Sequence, residues 1–218
     1  MAKTRTTDDR AAGLDLVCRL GDVSRETAAP LTQHAELLVK WQRSINLVSR
    51  STLPDLWRRH MADSAQLVPH IRREGLDRPT ILDLGSGAGF PGLVLAQLGV
   101  GRIHLVEADQ RKASFLRQVL LATGAEATLH TDRLETLAPF PVDIVTARAF
   151  APLVRLVEWA ADFVNENTVF WLLKGREVGQ ELTDLAEYWT VEADRVASAT
   201  HDDGVLLRLS QVRRRDGA

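Results

Sequence analysis

Four glycines fall within eight residues in Gly85-Ser86-Gly87-Ala88-Gly89-Phe90-Pro91-Gly92, directly behind the apolar run Ile81-Leu82-Asp83-Leu84. A tight strand-to-helix turn needs one glycine or two. Four, mostly at alternating positions, point instead to a loop whose bare backbone a ligand presses against. In a doubly wound sheet that junction lies at the carboxyl edge of the strands, where ligands bind.

The surrounding pattern is of that kind. Short apolar segments at 80–84, 102–107, 126–130, 142–147, 168–173, 189–197 and 204–211 predict strands, with helices between them at 91–98, 110–123, 151–163 and 177–186. The alternation implies right-handed crossovers and an α/β, doubly wound, mostly parallel seven-stranded Rossmann-like sheet with helices on both faces. A short loop joins the last two strands, which are predicted as an antiparallel edge hairpin. Ahead of Arg78-Pro79 the period is helical: Leu31, Ala35, Leu38, Trp41 and Ile45 make one stripe, and Leu53, Leu56, Trp57, Met61, Ala65, Val68 and Ile71 a second. The expected organisation is a disordered tail over 1–12, an N-terminal helical cap over 13–78, the sheet domain over 79–212 and a second disordered tail over 213–218. Trp41, Trp57 and Trp159 sit on apolar helical stripes and are expected in the core.

Charge limits the partners. The net charge of −2 argues against a general polyanion binder, but residues 1–78 carry 13 basic and 10 acidic groups and residues 79–218 carry 14 and 19. Between Lys40 and Arg73 seven basic groups face two acidic ones, so any nucleic-acid contact is expected to be local; a solvated helix face is the bland alternative. No apolar run is long enough for a membrane span, and the polar start, with no apolar segment behind it, gives no support to secretion, so neither is expected. The single cysteine, Cys18, cannot form an internal disulfide, which fits a reducing compartment, with the cytoplasm expected.

Two ligand classes compete for the loop, because residues 87–92 also satisfy the G-x-G-x-x-G dinucleotide fingerprint. In either case an acidic residue closing the second strand takes the ribose hydroxyls, and Glu107 is correctly placed. Asp83 and Pro91 separate the two. A pyrophosphate wants free N–H groups at the helix start, where proline removes one and an upstream carboxylate adds repulsion. A sulfonium such as S-adenosyl-L-methionine has no phosphates and a positive centre, so the loop, with Asp83, Gly85, Gly87 and Gly89, is read as a methyl-donor site. Asp132-Arg133-Leu134-Glu135 follows the third strand, where it meets an adenine edge or is simply a solvated turn. Arg148, flanked by alanines after the fourth strand, has little packing reason to exist and is read as substrate-positioning. His60 and Asp63 lie three apart on one helix face, either a catalytic or RNA-reading pair or a helix-surface hydrogen bond. The remaining histidines are scattered, and no metal site is expected.

With these residues the chain resembles the GidB/RsmG family, bacterial enzymes that methylate a guanine N7 in 16S ribosomal RNA. The resemblance rests on Trp41 with Asn46-Leu47-Val48-Ser49, Arg59-His60-x-x-Asp63-Ser64, the glycine segment from Asp83 to Gly92, Lys112-x-x-Phe115-Leu116, Arg148-Ala149-x-Ala151 and Leu173-Lys174-Gly175. It weakens after about Val178. It implies a cofactor site lined by Gly85, Phe90, Leu134, Glu135 and Arg148, with Glu107 on the ribose; His60 and Asp63 belong to the family pattern, which assigns them no role. Guanine N7 carries a lone pair and no proton, so its methylation needs alignment rather than a strong base. A flipped base needs cations for its flanking phosphates, and Arg58, Arg59, Arg111, Lys112, Arg117 and Lys174 are expected to supply them, with Phe90 and Phe150 as stacking candidates. The expected partner is 16S ribosomal RNA or the small subunit, met by a monomer. A nicotinamide-dependent oxidoreductase using the overlapping fingerprint is the rival; it lacks a Tyr-x-x-x-Lys pair, the only tyrosine being Tyr188. An assembly factor without catalysis is a third class.

Overall fold

A computed structural model describes the main chain of residues 2–148 and 151–215, and side chains from Arg10 onward. Phe150 and residues 216–218 of the expected tail lie outside the described residues. The N-terminal layer holds α1 (Ala2–Gly21), α2 (Arg25–Ala28) and α3 (Pro30–Trp41). After a loop come a 3-10 turn at Leu53–Asp55, a π-helical turn at Trp57–Ala62, α4 (Asp63–Ala65) and α5 (Val68–Arg73). The second apolar stripe is therefore not one helix. Pro54 and Pro69 each lie in the first turn of a new segment, where a missing N–H costs nothing.

Of the disordered tail expected over 1–12, residues 2–12 belong to α1 instead. Leu14, Val17 and Leu20 further along the same helix pack into the layer, and the first turns extend from that anchor.

Seven strands follow: β1 (Thr80–Leu84), β2 (Arg102–Val106), β3 (Ala127–His130), β4 (Ile144–Arg148), β5 (Val169–Lys174), β6 (Trp189–Ala197) and β7 (Val205–Arg214). Their order is β3-β2-β1-β4-β5-β7-β6, parallel except for β7, which runs antiparallel between β5 and β6. Arg213 and Arg214, expected in the tail, pair with Thr190 and Trp189 instead. The crossovers are α6 (Gly92–Gln97), α7 (Gln110–Thr123), α8 (Leu153–Ala160) and α9 (Val178–Leu185).

Alternation along β1 divides the interior. Ile81 faces the N-terminal layer with Leu93, Ile103, Phe115 and Trp171; Leu82 and Leu84 face α8 with Val145, Phe170 and Leu207. One continuous apolar cluster runs from Val17 and Leu31 through the sheet to Leu206, so the region over 13–78 is a layer of the same core as the sheet. Trp171 Nε1 donates to Glu74, just past α5, and Arg208 of β7 makes two hydrogen bonds to the same carboxylate. Because β1 pairs with β2 on one side and β4 on the other, strand order reverses there, and the carboxyl ends of β1 and β4 flank a crevice.

Candidate active site

That crevice opens into a cleft of about 1100 Å³. The glycine loop forms its floor, residues 47–63 of the N-terminal layer one wall, and α9 with the β6–β7 turn the other. Gly87 has φ +57°, and a Cβ built on it meets nothing closer than the Gly85 carbonyl at 3.7 Å, so a side chain there would enter the ligand space. Glu107, only 8% exposed, fixes the loop: one carboxylate oxygen accepts from Gly87 N at 2.8 Å and the other from Asp109 N at 2.8 Å. Each oxygen keeps a further lone pair for a hydroxyl donor.

Asp83 follows from the same alternation. It is the β1 residue turned toward the N-terminal layer, fully buried, with Oδ1 accepting from Thr146 at 2.8 Å. Gly92, at the start of α6, lies flat against it; a Cβ there would sit 2.5 Å from the Asp83 Cβ. Burial pushes the Asp83 carboxyl up to about 6, with Ser86, Thr146 and Arg148 holding it from going further. A buried carboxylate under a loop of bare backbone, with a second acid at the end of β2, is a donor set for a compact cation carrying hydroxyls. It fits S-adenosyl-L-methionine and repels a pyrophosphate.

Phe90 is not available for stacking on a base. Its ring, 4% exposed, stacks with His34 at 5.2 Å and His60 at 5.1 Å, and the Arg148 guanidinium lies 4.8 Å from its centroid. The expectation of a free aromatic at a loop position fails because the N-terminal layer closes over the ring. His34 itself, reaching down from α3, binds the Ala88 carbonyl through Nε2 at 2.8 Å and meets the Gln97 amide at 3.2 Å; burial lowers its pKa to about 4. The only sequence signal was a histidine on the apolar stripe of α3 beside Leu31, Ala35 and Leu38.

His60 sits on the cleft wall. Thr52 spends its hydroxyl proton on the Ser49 carbonyl, so its oxygen accepts from His60 Nε2–H at 2.8 Å and the tautomer is set; Nδ1 has no partner among the described residues. Burial first, then Arg148 and Arg59, drive its pKa down to about 3. The ring is neutral, so it is not a proton store at neutral pH.

Asp63 does not bond His60. Its carboxylate accepts from Thr200 and Gln66 and stands 3.6 Å from Arg148, whose Nη1 also donates to the Arg59 carbonyl at 3.0 Å. Burial raises the Asp63 carboxyl, while Thr200 and Arg148 oppose the rise; burial lowers Arg148, and Asp63 opposes that. Gln66 further anchors the β6–β7 turn by accepting from Ala199 N.

The expected cations separate. Arg59 lines the cleft with no partner for its guanidinium among the described residues, whereas Arg58 is turned to the Thr200 carbonyl at 3.0 Å. Lys174 is 7% exposed and bonded to the Ala151 carbonyl and Glu181, which also caps α8 through Leu153 N. It is a buried link between loops rather than an open phosphate contact. Arg111, Lys112 and Arg117 lie on α7 beyond the cleft lining. Leu134 packs with Val106 in the α8-side cluster and Glu135 is exposed; neither lines the cleft, and Asp83, Gly89 and Glu107 are buried behind its lining, supporting the loop. Among the described residues no group of three or more His, Cys, Asp or Glu side chains could hold a metal, and no helix is long and apolar enough to cross a membrane.

A family model described as GidB, rRNA small subunit methyltransferase G, matches residues 27–205. The Ribosomal RNA small subunit methyltransferase G of Rhodospirillum rubrum is 52% identical over 194 residues, covering 88% of this chain and 94% of that protein. Its namesake in Paramagnetospirillum magneticum is 50% identical over 192 residues, covering 88% and 92%. The crystal structure of ribosomal protein L11 methylase from Lactobacillus delbrueckii subsp. bulgaricus shares the fold, with a TM-score of 0.57 at 15% identity over 71% of this chain and 79% of that one.

Proposed function

This chain belongs to the rRNA small subunit methyltransferase G family, and we propose that it transfers a methyl group from S-adenosyl-L-methionine to N7 of a guanine in 16S ribosomal RNA. The observation that carries this reading is the glycine loop clamped by Glu107 over a buried Asp83, in a chain of that family. When bound, the donor supplies an electrophilic methyl on a sulfonium. The chain supplies binding and exclusion of water. Gly85 and Gly87 let the ligand lie on main chain, Gly89 lets the loop close against Leu93 and His34, Glu107 takes the ribose hydroxyls, and Asp83 balances positive charge from below.

No residue needs to remove a proton, because N7 has none, and a neutral His60 suits that chemistry. Arg148, fixed by Asp63 and the Arg59 carbonyl and laid on Phe90, is a rigid donor at the carboxyl end of β4 that positions the base. Arg59 meets a flanking phosphate. The protein acts as a monomer in the cytoplasm, on RNA or the small subunit. The nicotinamide alternative has no support: Pro91 occupies the N-cap of α6, and Tyr188 lies just ahead of the edge strand β6.

The test is calorimetric titration with S-adenosyl-L-methionine, its demethylated product and NAD in parallel, then tritium transfer to 16S RNA from cells lacking this gene. Binding of the first two, with label on a guanine, is expected. Binding of NAD alone would sink the proposal.

A further inference from the structure

A second cavity, about 580 Å³, lies beside the first and is lined by Gln42, Arg43, Ser44, Ile45, Asn46, Ser49 and Arg50. Ser49 lines both, and Leu47 and Val48 continue into the main cleft. The loop is held in shape from within: the Gln42 amide oxygen accepts from Leu47 N and Val48 N, and its nitrogen donates to the Val48 carbonyl and Asn46. Both arginines are exposed, and neither guanidinium has an ion-pair or hydrogen-bond partner among the described residues. No acidic residue occurs between Glu36 and Asp55. The opposite wall of the main cleft carries Glu177 and Asp184, both exposed, and Glu181, already paired with Lys174. A polyanion that places one base in the cleft is repelled from α9 and drawn over the 42–50 loop.

We propose that this preformed bay is a phosphodiester subsite, in which Arg43 and Arg50 grip the RNA strand flanking the target base, so that the strand enters across the N-terminal layer. Guanidinium forks on phosphate oxygens are among the strongest charge-assisted hydrogen bonds, and Ser44 and Asn46 add neutral donors. The inference rests on the RNA reading of the main cleft.

The test compares the parent, Arg43→Ala/Arg50→Ala and Arg43→Lys/Arg50→Lys on 16S RNA and small subunits from cells lacking this gene. RNA affinity is read from 50 to 200 mM salt, with calorimetric affinity for S-adenosyl-L-methionine and the thermal midpoint as controls. Each phosphate released from an arginine removes about 0.7 from the log–log salt slope, so the slope of the alanine variant falls by about 1.4 and its affinity drops about sevenfold less than the parent's over that range. KM for RNA rises, kcat at saturating RNA and donor affinity stay as in the parent, and the lysine variant recovers most of the slope. An unchanged slope and KM in the alanine variant, with an active parent, overturns the bay alone. A parent that binds the methyl donor but no RNA overturns the RNA reading and the bay with it.

Discussion

At the scale of single residues, burial acts on acids and bases in opposite senses. Asp83 is pushed up to about 6 against an ordinary value of 3.8, a shift on the order of 3 kcal/mol for a fully buried group. Its folded pKa is raised, so its contribution to stability is fully present below about pH 4 and is lost as pH rises through about 6. Asp83→Asn is therefore expected to resist urea better than the parent at pH 7 while binding S-adenosyl-L-methionine at least tenfold more weakly; equal donor affinity would remove Asp83 from the site. His34 and His60, held at about 4 and about 3, carry the opposite sign. Their contribution is present above about 6.5 and is lost as pH falls toward 3 to 4. In imidazole NMR neither ring should titrate between pH 5 and 8, and a His60 resonance moving with a midpoint near 6.5 would contradict its neutral assignment.

At the scale of elements, two glycines of one loop separate cradle from packing. Gly87→Val meets open space and a strained φ, costing about 1–2 kcal/mol, so the variant is expected to fold yet lose the methyl donor. Gly92→Val drives its Cβ into Asp83 and is expected to lower the thermal midpoint sharply as well. The reverse ranking of midpoints would refute this assignment. Gln66→Ala leaves Ala199 N without its acceptor, and amide exchange at the β6–β7 turn should rise by an order of magnitude while β1 stays protected. Strands and crossover helices were legible to within two residues at most ends because their apolar periods are short and regular. The second stripe of the N-terminal layer read as helix but is built from four short pieces, since periodicity does not register two prolines and a π-turn. Asp83 and Glu107 were visible from their distance to the glycines. The roles of His34 and Gln66 were not, because each acts on residues far along the chain, and that of Thr52 was not, because its reach to His60 depends on the turn between them.

At the scale of the whole molecule, the N-terminal layer and the sheet share one core; the layer supplies His60 and Asp63 to the cleft, and His34 and Gln66 to the loop and turn that bound it. The fragment 79–218 is therefore expected to show no cooperative thermal transition and no affinity for S-adenosyl-L-methionine; a sharp transition with retained binding would mean that the layer is dispensable. The charge asymmetry along the sequence survives in space as a basic wall facing an acidic one.

The insertion of β7 between β5 and β6 makes the edge strand a dependant of its neighbour: β6 has its place in the sheet only through β7. The turn before β7 delivers Thr200 to Asp63 beside Arg148, so one loosened strand would free the sheet edge and unbrace the cleft together.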